Sequence, residues 1–203
     1  MALTTVKLTA GVTGTLPIAN GGTNSTSTTF VNLATNITGT TPIANGGTAA
    51  TTLAGAGLAS TPAFEAQLSS DQAVGDNVDT KLAANTEIYD TDSDYDNSSD
   101  YRFTPQSAGK YFVYGNIYGD PQSASDLVYV YSYIKKNGST VAQQAIDTRN
   151  NNGREFSVFI QAIVDMDGSS DYVELWGNVN AADGAGMEFV THSRFGAYRI
   201  IGA

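Results

Sequence analysis

The stretch LVYVYSYI, residues 127 to 134, carries bulky side chains on both faces of a predicted β-strand. Because side chains alternate along a strand, the two valines share a face with Ile134, and the tyrosines share the other. A strand that is half exposed to water alternates apolar with polar residues instead. We therefore expect the valine face to fill the core of the protomer. The opposite face, here called the tyrosine face, consists of Tyr129, Tyr131 and Tyr133.

The tyrosine face suits contact with another subunit or with a ligand. Each ring is apolar, and each hydroxyl can form a hydrogen bond at the edge of a contact. An ordinary solvent-facing ladder of tyrosines, paired across neighbouring strands, is the alternative.

The same character extends through the chain after about residue 60. Short runs of β-branched and aromatic residues alternate with clusters of Gly, Asn, Asp and Pro, and no segment shows helical periodicity. This pattern predicts an all-β sandwich or jelly roll. The predicted strands are residues 64–68, 86–89, 101–103, 109–118, 127–135, 141–147, 155–165, 172–178 and 194–201.

The composition excludes several classes of protein. The 203 residues include no cysteine, so neither disulfides nor a thiolate metal site is expected. The formal net charge of −10 argues against a partner that is a nucleic acid or an anionic membrane surface. No apolar run approaches the roughly 20 residues of a membrane helix, and no secretory signal is evident. We expect a soluble chain that is made in the cytoplasm.

Residues 1 to 60 differ sharply from the rest, since Lys7 is their one charged residue. Two nearly identical units, GTLPIANGGTNST at 14–26 and GTTPIANGGTAAT at 39–51, follow one another. In each unit a proline fixes φ and an Asn-Gly-Gly sequence favours a tight turn. Stacking or intertwining of copies is expected, with a flexible linker as the alternative. The residues of the repeated turns are Pro17, Asn20, Gly21, Gly22, Pro42, Asn45, Gly46 and Gly47.

Five motifs after residue 60 come in the order found in a known family. They are TPAFEAQLSS (61–70), YRFTPQSAGKYFVYGNIY (101–118), IKKNGS (134–139), DYVELW (171–176) and SRFGAYRI (193–200). Together they resemble the globular head of complement C1q, within the tumour-necrosis-factor superfamily. The family's usual Gly-Asp before the Asp-Tyr-Val strand is replaced here by residues that also favour a turn.

The resemblance implies a ten-stranded jelly roll over residues 61–203, here called the head, assembled as a parallel homotrimer. Alternation places Trp176 opposite Val173 and Leu175, on the face that approaches the three-fold axis in the resembling family. Burial within one protomer is the alternative for Trp176. The residues expected at the trimer interface are Tyr111, Tyr129, Tyr131, Trp176 and Tyr198.

The repeats of residues 1–60 resemble those of tail fibres and other appendages of tailed bacteriophages. This resemblance implies a structural virion protein in which residues 1–60 form a stalk or anchor on other virion proteins. The head would then bind a glycan or a protein of the bacterial surface, with the polar loops 118–125 and 148–154 as candidate contacts. A capsid decoration or head-fibre protein that stabilises the shell is the alternative. A cellular signalling or lectin-like module is disfavoured by the repeats.

The acidic sequence YDTDSDYDNSSDY contains the densest cluster of charge. Carboxylates on alternate residues suit Ca²⁺, the one cofactor considered, although the spacing of an EF-hand is missing. A solvated surface loop is the alternative. The candidate ligands are Asp90, Asp92, Asp94 and Asp96, with Asp100 at the end of the cluster.

No catalytic residues are predicted. His192 is the only histidine, and its neighbour Ser193 would point to the opposite face of a strand. A nucleophile elbow and a phosphate-binding loop are both missing from the sequence. We therefore expect a protein that is not an enzyme.

Overall fold

The computed structural model describes residue 56 and residues 59–121, 127–150, 153–184 and 187–201. Contacts divide the chain into two units, Met1–Gly57 and Leu58–Ala203. None of the residues described forms a helix able to cross a membrane. Outside the described residues lie the predicted repeat turns at Pro17, Asn20, Gly21, Gly22, Pro42, Asn45, Gly46 and Gly47.

The described part of the head contains thirteen β-strands and no helix. In chain order the strands are β1 (Ala63–Gln67), β2 (Gln72–Val74), β3 (Thr80–Lys81), β4 (Thr86–Asp90), β5 (Tyr95–Asp96), β6 (Arg102–Phe103), β7 (Gly109–Pro121), β8 (Leu127–Lys136), β9 (Ser139–Asp147), β10 (Phe156–Met166), β11 (Val173–Ala181), β12 (Met187–Phe189) and β13 (Arg194–Arg199).

The strands form two antiparallel sheets that pack face to face. In the first sheet the order is β2-β12-β7-β13-β1-β4, and β10 pairs with the other edge of β7. In the second sheet the order is β5-β6-β11-β8-β9, and β3 pairs with β11. Strands distant in sequence are therefore neighbours, as β7 with β13 and β8 with β11, which is the connectivity of a jelly roll.

The longest strand, β7, shows how the sequence selects its inner face. Tyr111, Val113 and Ile117 point into the core together with two glycines of the same face. A side chain at Gly115 would come within 2.6 Å of Leu175 on the opposite sheet, so the glycine permits the sheets to approach. Phe112 and Tyr114 point outward and are half-buried.

Aromatic rings join the two sheets at one end of the core. Phe64 of the first sheet stacks on Tyr95 and Phe103 of the second, with ring centroids 4.4 and 4.6 Å apart. Phe195, from the strand beside β1, meets Phe64 edge-on at 5.0 Å. Burial also raises the pKa of Tyr95, whose hydroxyl donates to the carbonyl of Ala84.

The predicted all-β class is confirmed, and each of the nine predicted strands matches a strand of the structure. The expected total of ten strands differs from the thirteen described. The additional strands have two or three residues each, too few to show a period of two in the sequence. They are β2, β3, β5 and β12.

The prediction that Tyr111 lies at a trimer interface is wrong. Its side chain is 0% exposed within a single chain, where its ring meets Phe103 edge-on at 5.7 Å. The hydroxyl donates to the carbonyl of Ser107, and burial raises the pKa of Tyr111 to about 12. A side chain without exposed surface in the protomer cannot contact a partner subunit.

Shortening a core valine should destabilise the head, whereas shortening an exposed one should not. Val113→Ala removes two fully buried methyl groups, and we expect the free energy of unfolding to fall by about 2 kcal/mol. Val141→Ala is the matched control, because Val141 is 47% exposed on β9 and we expect a change within about 0.5 kcal/mol. Urea unfolding at equal protein concentration measures both. Equal losses in the two variants would contradict this assignment of the core.

Candidate binding surfaces

The outer side of the first sheet carries large apolar side chains. Phe112 on β7 lies in register between Ile163 on β10 and Tyr198 on β13. Ile163 is 64% exposed, Phe159 57% and Tyr198 40%. We call this surface the apolar face; it consists of Phe112, Tyr114, Phe159, Ile163 and Tyr198.

A polar network lies at one side of the apolar face. Glu65 accepts hydrogen bonds from the Tyr114 hydroxyl at 2.8 Å and from Arg194 Nη1 at 2.9 Å. The Tyr114 ring lies over Gly196, where a Cβ would come within 2.5 Å of the phenol. Burial, assisted by the hydrogen bonds with Glu65 and Tyr89, raises the pKa of Tyr114, so its hydroxyl remains a donor at neutral pH. The network therefore fixes the position of one ring of the face.

The tyrosine face lies on the outer side of the second sheet. The rings of Tyr129 and Tyr131 are 5.0 Å apart and nearly perpendicular, while those of Tyr131 and Tyr133 are parallel and 5.9 Å apart. All three side chains are half-buried. Burial raises the pKa of Tyr133 to about 12, which keeps its hydroxyl protonated. The three rings form a row along β8.

The neighbouring strand β11 adds Trp176 beside this row. Trp176 is paired with Tyr133, and its indole Nε1 donates to Glu174 Oε2 at 2.9 Å. Glu174 is only 6% exposed and is neutralised by Lys81 at 2.9 Å. Lys135 Nζ lies 4.0 Å from the centre of the Trp176 ring, a cation–π contact that holds the indole against the sheet.

The predicted interface residues are therefore divided between two sheets. Tyr198 belongs to the apolar face, whereas Tyr129, Tyr131 and Trp176 lie on the outer side of the other sheet. They therefore do not form one continuous surface within the protomer. The placement of Trp176 opposite Val173 and Leu175, as alternation predicts, is confirmed by the full burial of the latter two.

The sequence prediction did not include four members of the apolar face. For two of them, Phe159 and Ile163, a signal was available, because β10 alternates Val158, Ile160 and Val164 inward with these apolar residues outward. The residues that were missed are Phe112, Tyr114, Phe159 and Ile163.

The acidic cluster forms turns that are closed by local hydrogen bonds. Asp90 accepts the backbone N–H groups of Ser93 and Tyr95, at 3.0 and 2.9 Å. Asp94 accepts the N–H of Gln106, and burial raises the pKa of its carboxyl. Throughout the described ranges, no three His, Cys, Asp or Glu side chains come together in a way that could hold a metal ion.

The remaining acidic residues of the cluster have local partners too. Asp92 accepts the Thr91 hydroxyl at 2.5 Å, and Asp100 pairs with Arg102 at 3.1 Å. Asp96 accepts the Ser99 hydroxyl at 2.7 Å together with two backbone N–H groups. The set Asp90, Asp92, Asp94 and Asp96 is thus not brought together around one point.

His192 and Ser193 lie in the turn before β13 rather than on a strand, and they differ in exposure. Ser193 is fully buried and its Oγ accepts the N–H of Tyr118 at 2.9 Å. His192 is exposed, with its ring centre 6.0 Å from that of Tyr118. The buried hydroxyl has a structural role in fixing the start of β13 against β7.

Comparison with solved structures identifies similar folds. Murine APRIL at pH 5.0 aligns with 68% of this chain and 98% of its own, with a TM-score of 0.50 and 9% identity. The globular domain of zebrafish complement 1qA protein covers 69% of this chain and 98% of its own, with a TM-score of 0.48 and 14% identity. Eiger TNF from S. frugiperda covers 70% and 93%, with a TM-score of 0.46 and 13% identity.

At this level of identity the likeness to APRIL establishes the fold alone. It confirms the C1q/TNF-like jelly roll that the sequence motifs predict for the head. No model of a known protein family matches the sequence. A comparison with curated proteins finds no match.

The turn at Asp96 gives a pH-dependent prediction. Hydrogen bonds from Ser99 and Ser98 lower the pKa of Asp96 below its ordinary value of 3.8. Its charged form is therefore stabilised in the fold, a contribution that is present above pH 3.8 and is lost as the pH falls towards the lowered pKa. We expect Asp96→Asn to lower the free energy of unfolding by about 1 kcal/mol at neutral pH.

Thermal melts at pH 7 and in acid test this expectation. The difference between wild type and Asp96→Asn should narrow as the solution is acidified. Asp92→Asn is the control, because it removes a neighbouring carboxylate that accepts a side-chain hydroxyl, that of Thr91. A constant difference at every pH would contradict the proposed role of the charge.

Proposed function

We propose that this chain is a structural fibre protein of a tailed-phage virion, with a trimeric head that attaches to the bacterial surface. Residues 1–60 hold the head to other virion proteins, and the head takes a surface glycan or protein as its partner. The repeats of residues 1–60 support the phage assignment. The jelly-roll fold supports the likeness of the head to C1q/TNF-like domains.

The apolar face is the observation that carries the self-association. Scattered apolar residues are normal on a protein surface, but contiguous ones mark an interaction site. Here Ile163, Phe112 and Tyr198 form one row across three strands, with Phe159 on the same face four residues from Ile163 along β10. In a cyclic trimer neighbouring subunits meet through different patches, and a surface that lies at the three-fold axis meets its own copies. We therefore place the proposed trimer contact on the apolar face.

The polar network beside this face would give the contact its orientation. Glu65, Arg194 and Tyr114 satisfy one another within a protomer, so burying them leaves little unpaired charge. Interfaces of this kind combine an apolar centre with a polar rim. Tyr198 keeps the interface role that the sequence predicts for it.

A charge introduced into the apolar face should separate the subunits. Ile163 is exposed in the protomer, so Ile163→Asp should fold normally yet bury an unpaired carboxylate in the trimer. We expect a weakening of about 3 kcal/mol for each buried charge and hence monomers at micromolar concentration. Sedimentation velocity of the full chain measures the change, with circular dichroism as the check on folding.

Val141→Asp is the matched control, because Val141 is an exposed β-branched residue on the other sheet. This variant should sediment as wild type does. A monomeric wild type, or an Ile163→Asp variant that remains trimeric, would contradict the proposed interface.

Attachment depends on avidity in this proposal. Three weak sites on one trimer, and several trimers on one virion, raise the overall affinity without strong individual contacts. We expect antibodies against the head to label the distal end of the tail in electron micrographs and to block adsorption. Labelling of the capsid shell, with adsorption unchanged, would instead support capsid decoration.

A further inference from the structure

We propose that the tyrosine face and the adjoining end of β9 bind an uncharged glycan chain. The inference rests on the proposed attachment function and assigns it a site and a class of ligand. The site lies on the opposite side of the sandwich from the apolar face, so one head can use both at once.

The row of rings suits a linear sugar chain. Tyr129, Tyr131 and Tyr133 follow one another along β8, with ring centroids 5.0 and 5.9 Å apart. The spacing is close to the length of one pyranose unit, and the parallel rings of Tyr131 and Tyr133 suit face-on packing, whereas Tyr129 presents its ring at a steep angle to Tyr131. The C–H faces of sugars pack on aromatic rings, and the apolar surface that they cover is removed from water.

Hydrogen-bonding groups accompany the rings on the neighbouring strand. In the register of β9, Gln143 is opposite Tyr133 and Asp147 is opposite Tyr129, so all four lie on the same side of the sheet. Gln143 and Asp147 are exposed. The amide of Gln143 can donate and accept hydrogen bonds, and the carboxylate of Asp147 has two oxygens that accept them. Both groups can therefore pair with the hydroxyl groups of a sugar. A few such groups among aromatic rings are typical of small-ligand sites.

The row of rings ends at an open depression of about 570 Å³. Its walls are Asp147, Thr148, Arg149 and Asn150, directly after the residue paired with Tyr129. Arg149 Nε donates to both oxygens of Asp147, at 3.0 and 2.9 Å, which holds two hydrogen-bonding side chains in place. Three of these residues, Thr148 to Asn150, fall in a segment that the sequence marks as a candidate contact.

The charges of the surface favour a neutral ligand. Lys81 is paired with Glu174, Lys135 with Asp79, and Arg149 with Asp147. Each of these cations is neutralised within the protomer, although the whole chain carries a net charge of −10. An anionic polymer would meet repulsion from the chain and no free cation among these three, whereas a neutral sugar meets neither effect.

The side-chain oxygen of one buried amide on β11 accepts no hydrogen bond. Asn178, which is paired with Tyr131, is 8% exposed, and its Nδ2 donates to Asp79 at 2.9 Å. Its Oδ1 has no hydrogen-bond partner in the structure. An unsatisfied buried acceptor is destabilising, and a sugar hydroxyl that donated to this oxygen would relieve that cost.

A second copy of the chain fits the apolar face better than it fits this one. The apolar face exposes Phe159 and Ile163 by more than half, whereas the tyrosines are half-buried between polar neighbours. Self-association through the tyrosine face would overturn the proposal.

Trp176 is the only tryptophan of the chain, so its fluorescence reports directly on this surface. The probe is a printed array of neutral bacterial polysaccharides and their oligosaccharides, followed by fluorescence titration of the full chain with those that bind. We expect binding that changes the Trp176 emission. Tyr131→Ala and Tyr133→Ala should each weaken it about tenfold, because a stacking ring is lost.

Two further variants keep the test independent of folding. Tyr131→Phe retains the ring on which the sugar packs, so it should bind within about threefold of wild type. Gln143→Arg changes an exposed side chain beside Tyr133 and should weaken binding about tenfold. Ile88→Ala is the control, because Ile88 is an exposed residue on β4 of the other sheet, and it should bind as wild type does.

Three results would overturn the proposal. The first is that no carbohydrate on the array binds the chain. The second is that Tyr131→Ala and Gln143→Arg bind as wild type does. The third is that Tyr131→Ala folds normally but no longer forms the trimer. Adsorption of the wild-type chain to a panel of bacterial strains is measured in parallel. Adsorption without carbohydrate binding would refute this site and keep the attachment function, while carbohydrate binding without adsorption to any strain would refute the attachment function.

Discussion

Phe64 contacts rings from both sheets, with Tyr95 and Phe103 on one side and Phe195 on the other. This aromatic contact closes one end of the sandwich, where the second sheet contributes only short strands. Without cysteine, the chain has no disulfide that could perform the same function. The packing of these rings therefore holds β5 and β6 against the first sheet and sets the spacing along the rest of the core.

Each of the two sheets described has one outer surface once the inner faces are packed, and the chemistry of these two surfaces differs. The apolar face has aliphatic and aromatic groups that water solvates poorly, with a small polar network at one side. The tyrosine face alternates rings with amides and with charges that are already paired. Self-association on the first and ligand binding on the second follow from this difference, because each surface suits one kind of partner better than the other.

The sequence predicts most of the fold because the long strands have a clear period of two and the motifs of the head come in a recognisable order. It does not determine which face of a strand is buried when both faces are bulky. In β7, Tyr111 and Phe112 are equally plausible core residues by sequence, and only the packing against Phe103 decides between them. The local contacts of the acidic cluster are hidden from the sequence for a related reason. Its carboxylates accept local N–H and hydroxyl groups, and the sequence does not show such contacts.

Hydroxyl-radical footprinting of the full chain at its assembled concentration tests most directly the claim that the two faces have different partners. The rate of side-chain oxidation is compared between assembled and diluted protein for Phe159 and Tyr131. The account predicts that Phe159 becomes protected on assembly, whereas Tyr131 is oxidised at the same rate in both states. Protection of Tyr131 with Phe159 unchanged would contradict it and would place the subunit contact on the tyrosine face.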